Sequence, residues 1–221
     1  MEVKENVDVL IRTLPQFIAG AAVTLELTVT AIFIGLFLGM FLALGRLSKN
    51  TVIKKICGIY IWLFRGSPLM LQIMFIFFGL PMIWPALNTS MFFSGFIALG
   101  LNSAAYLAEI IRAAIQSIDK GQMEASKALG MSYSQAMRRI IIPQSYRRLI
   151  PPVGNEFIAL LKDSSLVSVV GLTELMRTTT ILSNADGKAI YYLPCVVFYL
   201  ALTSLFTFVF GKLEKKYSVY E

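Results

Sequence analysis

Long apolar stretches alternate with short polar segments along most of this chain. A helix that crosses a lipid bilayer needs about 20 mainly apolar residues. Stretches of that length occur at residues 19–44, 58–83, 91–115, 150–170 and 189–210. The pattern therefore predicts an all-α integral membrane protein with five transmembrane helices, whose two ends lie on opposite sides of the membrane.

A polar segment at residues 119–143 separates the third and fourth apolar stretches. Asp119 and Ser132 can each cap a short helix, and each has a glutamine three residues later. Gly130 suits the left-handed residue that ends a helix, and Pro143 is expected to interrupt the apolar run before it. We expect a helix, a turn and a second helix, which either lie on the membrane surface or dock onto another protein.

The composition supports a membrane protein and sets its orientation. Hydrophobic residues make up 57% of the 221 residues and charged residues only 15%, which excludes an ordinary soluble domain. The net charge of +7 comes from basic residues spread among short loops, so we expect no nucleic-acid binding. Fourteen Lys and Arg residues flank one side of the predicted spans and four the other. Because cytoplasmic loops carry the excess, the N-terminus is expected outside, and the C-terminus and segment 119–143 inside.

Residue types that carry most enzyme chemistry are scarce. The chain has no histidine, and Cys57 and Cys195 belong to no paired motif. It also lacks the G-x-x-x-x-G-K-[ST] loop that binds nucleotide phosphates. We therefore expect no catalytic residue, no metal site and no cofactor on this chain, so that any ATP hydrolysis takes place on a partner chain.

The spacing within segment 119–143 resembles a family motif. It has Glu-Ala at 124–125, Gly130 and, after nine further residues, Ile-Ile-Ile-Pro at 140–143. This is similar to the E-A-A-x-x-x-G-x9-I-x-L-P loop of bacterial ABC importer membrane subunits, with Ser126 and Ile142 in place of alanine and leucine. Further segments resemble the polar amino-acid permeases of the histidine, glutamine and arginine type, namely FRGSPLMLQ at 64–72, SAAYLAEIIRAAIQSIDKGQMEASKALG at 103–130 and NEFIALLKDSSLVSVVGLTEL at 155–175.

The resemblance implies a fold and an assembly. Residues 1–221 are expected to form a single transmembrane permease domain of the type I ABC importer kind, multi-pass in the cell (inner) membrane and in contact with membrane lipid. The expected partners are two copies of a cytoplasmic ATP-binding subunit, a second permease copy and an extracellular or periplasmic solute-binding protein. For the second copy, a homodimer is favoured over a close paralogue.

The same resemblance makes segment 119–143 a cytoplasmic coupling loop. Its short helix is expected to sit in a cleft of the ATP-binding subunit. The residues expected to make this coupling are Glu124, Ala125, Ala128, Leu129, Gly130 and Pro143.

A first candidate for substrate binding lies at the end of the fourth apolar stretch. Asp163 and Ser164 belong to the polar group in LLKDSSL, and Gly171 follows, so we expect the helix to be broken or loosened there. Backbone at such a break offers free carbonyl and amide groups to a ligand. The alternative is that Asp163 forms an ion pair with Lys162 or Arg65.

Other polar residues within the apolar stretches are weaker candidates. Asn102, Tyr106 and Glu109 share one face of the third stretch and are expected to face the bundle interior. They either contact substrate or form hydrogen bonds between helices. The Thr24 hydroxyl in the first stretch is a further candidate, although such hydroxyls often bond to their own helix.

Arg65 precedes Gly66 and Pro68, which together allow the second stretch to bend. Its guanidinium suits a substrate carboxylate or an acidic residue such as Glu156, or it extends to the cytoplasmic interface. Acidic candidates outnumber basic ones, which favours arginine, lysine or histidine as the substrate. The function expected is the transmembrane subunit of an ATP-driven importer for a polar, basic L-amino acid. The alternative is a self-contained ion-coupled carrier or channel subunit whose polar segment only anchors it to the membrane surface.

Overall fold

The structure, a computed structural model, describes residues 2–217, without the side chains at 2–5 and 7. That part of the chain folds into helices joined by short turns. The α-helices are α1 (Glu2–Leu47), α2 (Thr51–Gly66), α3 (Leu69–Met74), α4 (Leu80–Ile83), α5 (Met91–Gln116), α6 (Lys120–Ala128), α7 (Tyr133–Ala136), α8 (Ile142–Asp163), α9 (Leu175–Asp186) and α10 (Tyr192–Tyr217). π-helical turns occur at Phe75–Gly79 and Met137–Ile141, and 3-10 turns at Pro85–Leu87, Ser164–Val170 and Ala189–Tyr191.

Helix α1 is longer than the apolar stretch that predicted it. Its 46 residues extend about 70 Å, far more than a bilayer's hydrocarbon core requires. The extra turns lie before residue 19, where Phe17 is fully buried against Leu175, Tyr191 and Cys195. Packing against α9 and α10 therefore accounts for the additional helix.

Helices α1 and α5 form the central pair of the fold, because small residues let them approach closely. A Cβ built on Gly39 of α1 would lie 3.0 Å from the Leu107 Cβ and 3.1 Å from the Ala104 carbonyl oxygen. A Cβ on Gly35, one turn earlier, would lie 3.1 Å from the Ser103 side chain. This is the small-residue spacing that brings helices together in membranes, where lipid offers no hydrophobic drive for their association.

The prediction of five spans is only partly supported. By length and apolar composition, Asp8–Leu47, Met91–Gln116 and Ala189–Tyr217 qualify as spans within the described residues. The bent pair Thr51–Gly66 and Leu69–Ile83 makes a fourth if it is counted as one span. The expected span at 150–170 corresponds to the end of α8 and a 3-10 turn, and does not qualify. Five spans and the orientation of the two ends therefore stay predictions.

The second apolar stretch is broken at Gly66, Ser67 and Pro68, where α2 and α3 meet at a bend of 105°. A residue before proline is pushed out of the helical region, and Ser67 is extended at φ −116° and ψ 147°. Pro68 also lacks the N–H that would continue the helix. The sequence at this point dictates the break.

A second break follows Asp163. There α8 gives way to a 3-10 turn, which ends at Gly171 with φ +92°. This confirms the loosening expected from the polar group LLKDSSL and the later glycine. The left-handed conformation at Gly171 is one that glycine adopts without steric cost.

The expected turn geometry at residues 119–143 is largely confirmed. Gly130 has φ +77°, and the Met131 N–H donates to the Ser126 carbonyl at 3.0 Å, which closes α6 with a Schellman motif. Ser132 caps α7, with Gln135 completing a reciprocal capping box. Asp119 caps α6 by accepting from the Gly121 N–H at 2.6 Å.

One expectation for this segment was wrong, because Pro143 does not interrupt the helix. The chain passes from α7 through the π-turn Met137–Ile141 directly into α8, with Pro143 in its first turn. In a regular helix the proline ring would clash with the backbone carbonyl four residues earlier. The π-turn just before Pro143 widens the backbone at that point. Residues 133–163 are therefore helical without a gap.

The α1–α5 packing predicts that Gly39→Ala destabilises the chain by about 1–3 kcal/mol, because the new methyl group meets backbone atoms of α5. A lower melting temperature of the purified protein in detergent would show this. Gly211→Ala is the matched control, since nothing lies within 4 Å of its added methyl and alanine favours helix. Equal melting temperatures for the two variants would contradict the close packing.

Candidate functional site

A cavity of about 380 Å³ lies where the α2–α3 bend faces α5 and α8. Polar and apolar side chains both contribute to its wall. The lining residues are Ser67, Pro68, Leu69, Asn102, Tyr106, Glu156, Ala159, Leu160, Asp163 and Leu166. The two breaks in the helices therefore meet at one cavity.

Helix α8 supplies two carboxylates to this cavity. Glu156 and Asp163 are seven residues apart, which places them on one face of the helix two turns apart. Glu156 is half-buried and accepts a hydrogen bond from the fully buried Ser103 hydroxyl at 2.8 Å. Asp163 is more open, at the last residue of α8. No cationic side chain is among the described residues that line the cavity.

A hydrogen-bond network holds the side of the cavity formed by the bend. The Asn102 Nδ2 donates to the Phe64 carbonyl and to the Gln72 Oε1, each at 3.0 Å. The Gln72 Nε2 donates to the Phe64 carbonyl at 2.9 Å and to the Ser67 hydroxyl at 2.8 Å. Asn102, which was predicted as a ligand, thus lines the cavity and also joins α5 to the bend.

Tyr106 and Arg65 lie together at the edge of the cavity. The Arg65 guanidinium carbon is 5.1 Å from the centroid of the Tyr106 ring, within the range of a cation–π contact. Tyr106 lines the cavity, whereas Arg65 is exposed and is absent from the wall. The structure thus places Arg65 beside the cavity and not within it.

Glu109 lies on the same face of α5 as Asn102 and Tyr106, but it faces a different group of residues. Its carboxylate accepts from the Arg112 guanidinium, with the Arg112 Nη2 at 2.5 Å, and the Arg46 Nε lies 3.9 Å away. It is not among the lining residues of the cavity. The hydrogen bonds of the Glu109 carboxylate are therefore within α5, with Arg112 one turn later. Arg46 of α1 makes only a longer ionic contact with it, so the interhelical hydrogen bonds considered for this residue stay a prediction.

Thr24 and Ser164 also bond within the protein. The Thr24 hydroxyl accepts the Leu175 N–H at 3.3 Å, which joins α1 to the start of α9. The Ser164 hydroxyl donates to the Leu161 carbonyl at 2.7 Å, and both side chains are fully buried. Neither residue lines the cavity.

Sequence reasoning missed Gln72 and Glu174. Gln72 is an amide side chain within an apolar stretch, four residues after Pro68. A polar residue so close to a proline was the signal in the sequence that its side chain could bond to the broken backbone. Glu174 lies in a short polar segment but is fully buried, and it caps α9 by accepting the Met176 and Arg177 N–H groups at 2.8 and 2.6 Å. Burial raises the pKa of the Glu174 carboxyl, and these hydrogen bonds oppose part of that effect.

A second surface of functional interest is the outer face of α6 and its turn. Glu124, Ala125, Ala128 and Gly130 are exposed, and Leu129 is 81% exposed. Ser126 faces inward and is only 4% exposed. The helix therefore presents a charge, two small residues and one large apolar side chain on the outside of the molecule.

Comparison with known proteins identifies the kind of molecule that carries this site. Residues 31–219 match the family of binding-protein-dependent transport system inner membrane components. The chain belongs to this family. Membership implies an ATP-binding subunit and a binding protein as partners, and it agrees with the multi-pass helical architecture.

Relatives that match this chain over nearly its full length are amino-acid transporters. The arginine transport system permease protein ArtQ of Bacillus subtilis is 39% identical over 92% of this chain and 93% of its own length. The glutamine transport system permease protein GlnP of Escherichia coli K12 is 35% identical over 93% of this chain and 94% of its own. A chain from the crystal structure of an amino acid ABC transporter with histidines superposes with a TM-score of 0.89 at 39% identity, covering 94% of this chain and 97% of that one. The protein is the permease subunit of an amino-acid ABC importer in the inner membrane.

Proposed function

We propose that this importer carries a basic L-amino acid, namely arginine, lysine or histidine. The observation that carries the proposal is the pair of carboxylates, Glu156 and Asp163, on a cavity wall whose described residues include no cation. Arg65 and Lys162, outside the wall, attract these carboxylates from a distance. Charge inside a membrane protein is costly, and a cationic substrate side chain in the cavity would offset that cost directly. A substrate with an acidic side chain would be repelled.

The cavity suits a molecule of this size and polarity. A volume of about 380 Å³ falls within the common range for small-molecule sites. The substrate cation would bind Asp163 and Glu156, while Ser67, Asn102 and Tyr106 supply hydrogen-bonding groups along the rest of the wall. Arg65, next to Tyr106, is placed to attract the substrate carboxylate at the edge of the cavity.

The relatives support the basic substrate and also a second one. Two relatives are named for arginine, and one related crystal structure contains histidines. Others are named for glutamine. Glutamine is therefore the second candidate, because its side-chain amide can bond to Asn102 and Ser67 without any need for a charge. No comparison supports a self-contained carrier or channel.

The proposed assembly has two permease copies, two ATP-binding subunits and a solute-binding protein on the outer side. A homodimer is the simplest form, since a C2 arrangement uses one surface twice. In it the ATP-binding subunits bind the exposed face of α6, with Glu124 offering a charge and Ala125, Ala128 and Leu129 an apolar surface. Pro143 is exposed next to this face.

A continuous helical segment and two hydrogen bonds connect the α6 region to the cavity. Residues 133–163 are helical without a gap and lead from the α6 turn to Glu156 and Asp163. Gln144 in α8 bonds to Gln122 in α6 at 3.3 Å, and Arg148 donates to the Ser117 carbonyl. A movement of α6 would therefore displace α8 and the carboxylates that it carries.

Asp163→Asn tests the recognition of a basic substrate. The variant keeps the shape but loses the charge, so the half-saturating concentration for arginine uptake should rise about tenfold or more. Uptake into proteoliposomes that contain the whole transporter gives this value for arginine, lysine, histidine and glutamine. Glu214→Gln is the control, because it removes a carboxylate on the exposed end of α10. An unchanged half-saturating concentration for every basic amino acid would exclude a direct role for Asp163.

Gly130→Val tests the coupling surface. A β-branched residue at φ +77° is strained by about 1–3 kcal/mol, so the α6 turn should change its exit angle. We expect at least an approximately tenfold loss of ATP-driven uptake, while ATP hydrolysis by the bound partner continues. Both rates are measured on the same reconstituted complex.

The control for this change is Gly211→Val, whose added side chain begins in open space within α10. A failure of the ATP-binding subunit to co-purify with the unchanged chain would contradict the assembly. Normal uptake by Gly130→Val would contradict the role of the turn.

A further inference from the structure

We propose that Gln72 is a positioning residue, which fixes the α2–α3 bend and thereby the shape of the substrate cavity. The inference rests on the proposed function in one respect, namely that the cavity beside the bend holds the substrate. Gln72 does not itself line that cavity. It acts through Ser67, Pro68 and Asn102, which do.

The bend leaves one backbone carbonyl, that of Phe64, without its helical hydrogen-bond donor. In a continuous helix the Phe64 carbonyl would accept the N–H of residue 68, but Pro68 has none. Within a bilayer, water is not available to every such group, and an unpaired carbonyl is costly. Two side-chain amides replace the missing donor: the Gln72 Nε2 at 2.9 Å and the Asn102 Nδ2 at 3.0 Å.

Gln72 ties the two arms of the bend together and to a third helix. From α3 it reaches back to the Phe64 carbonyl in α2, and to the Ser67 hydroxyl and carbonyl at 2.8 and 3.1 Å. Its Oε1 accepts from Asn102 in α5 at 3.0 Å. The residue is only 9% exposed, so both ends of its amide are committed inside the protein.

Apolar packing holds one side of α3, where Ile73 is fully buried in the core, and the hydrogen bonds of Gln72 act on the side that faces α2. An apolar cavity of about 460 Å³ lies between the two arms, bounded by Leu63, Phe64, Leu71 and Phe75 among others. Ser67 borders both this cavity and the polar one. The Ser67 hydroxyl donates to the Leu63 carbonyl at 2.8 Å within α2, and the bonds from Gln72 tie Ser67 to α3 across the bend.

Gln72→Leu removes these bonds at similar volume, and a distance across the bend reports the result. Spin labels at the exposed positions Ile56 and Met82 lie on opposite arms. The labelled chain is diluted into unlabelled chain in the assembled transporter, with Cys57 and Cys195 replaced by alanine. We expect a longer and broader distance distribution in the variant, because the arms are free to straighten.

Transport by the same variant separates positioning from general damage. The half-saturating concentration of the transported amino acid should rise about tenfold, while ATP hydrolysis without substrate stays near that of the unchanged complex. Met70→Leu is the control on the same helix, since this side chain is exposed and faces away from the network. If Gln72→Leu does not assemble, Gln72→Met removes the same amide with a more adaptable side chain.

A double variant tests whether Gln72 and Asn102 act as one unit. The effects of Gln72→Leu and Asn102→Leu on the width of the distance distribution should together amount to less than their sum, because either change breaks the shared bond. Fully additive broadening would overturn the proposal. The proposal would also be overturned if Gln72→Leu left the distance distribution unchanged. The same holds if the variant changed the distance distribution but not the half-saturating concentration for uptake. The distance needs no substrate, so failure of the proposed function would appear separately, as absent basic amino-acid uptake by the unchanged transporter.

Discussion

The missing N–H of Pro68 is the constraint on which the rest of this molecule depends. It stops α2 in the middle of an apolar stretch and leaves the Phe64 carbonyl without its helical donor. In a membrane such a carbonyl must be paired within the protein. Gln72 and Asn102 pair it, and by doing so they bring α3 and α5 to the same point as the bend. The polar cavity opens there because the backbone cannot continue straight.

The second break ends the helix that carries both carboxylates of the cavity and that leads back to segment 119–143. Helix α8 ends at Asp163, so its last turns and the following 3-10 turn form one wall. The same helix is continuous with the segment that begins at α7, next to the exposed face of α6. In the proposed function, recognition and coupling therefore occupy opposite ends of one continuous helical segment, residues 133–163. A movement at the α6 end would reach the cavity through this segment.

Local rules in the sequence predicted much of this arrangement. The apolar stretches, the bend at Pro68, the left-handed Gly130 and the capping box at Ser132 each depend on a few neighbouring residues. Periodicity also placed Asn102, Tyr106 and Glu109 on one face of α5. It could not show that Arg46, at the end of another helix, lies beside Glu109. Which polar residue faces the cavity is decided by long-range packing, and spacing along one helix carries no information about it.

A structure of the assembled transporter with arginine bound tests the central claim most directly. We expect arginine in the cavity between the α2–α3 bend and α8. Its guanidinium should lie about 3 Å from a carboxylate oxygen of Asp163 or Glu156, as a charge-assisted hydrogen bond requires. Arginine bound outside this cavity, or inside it with the guanidinium turned away from both carboxylates, would contradict the account.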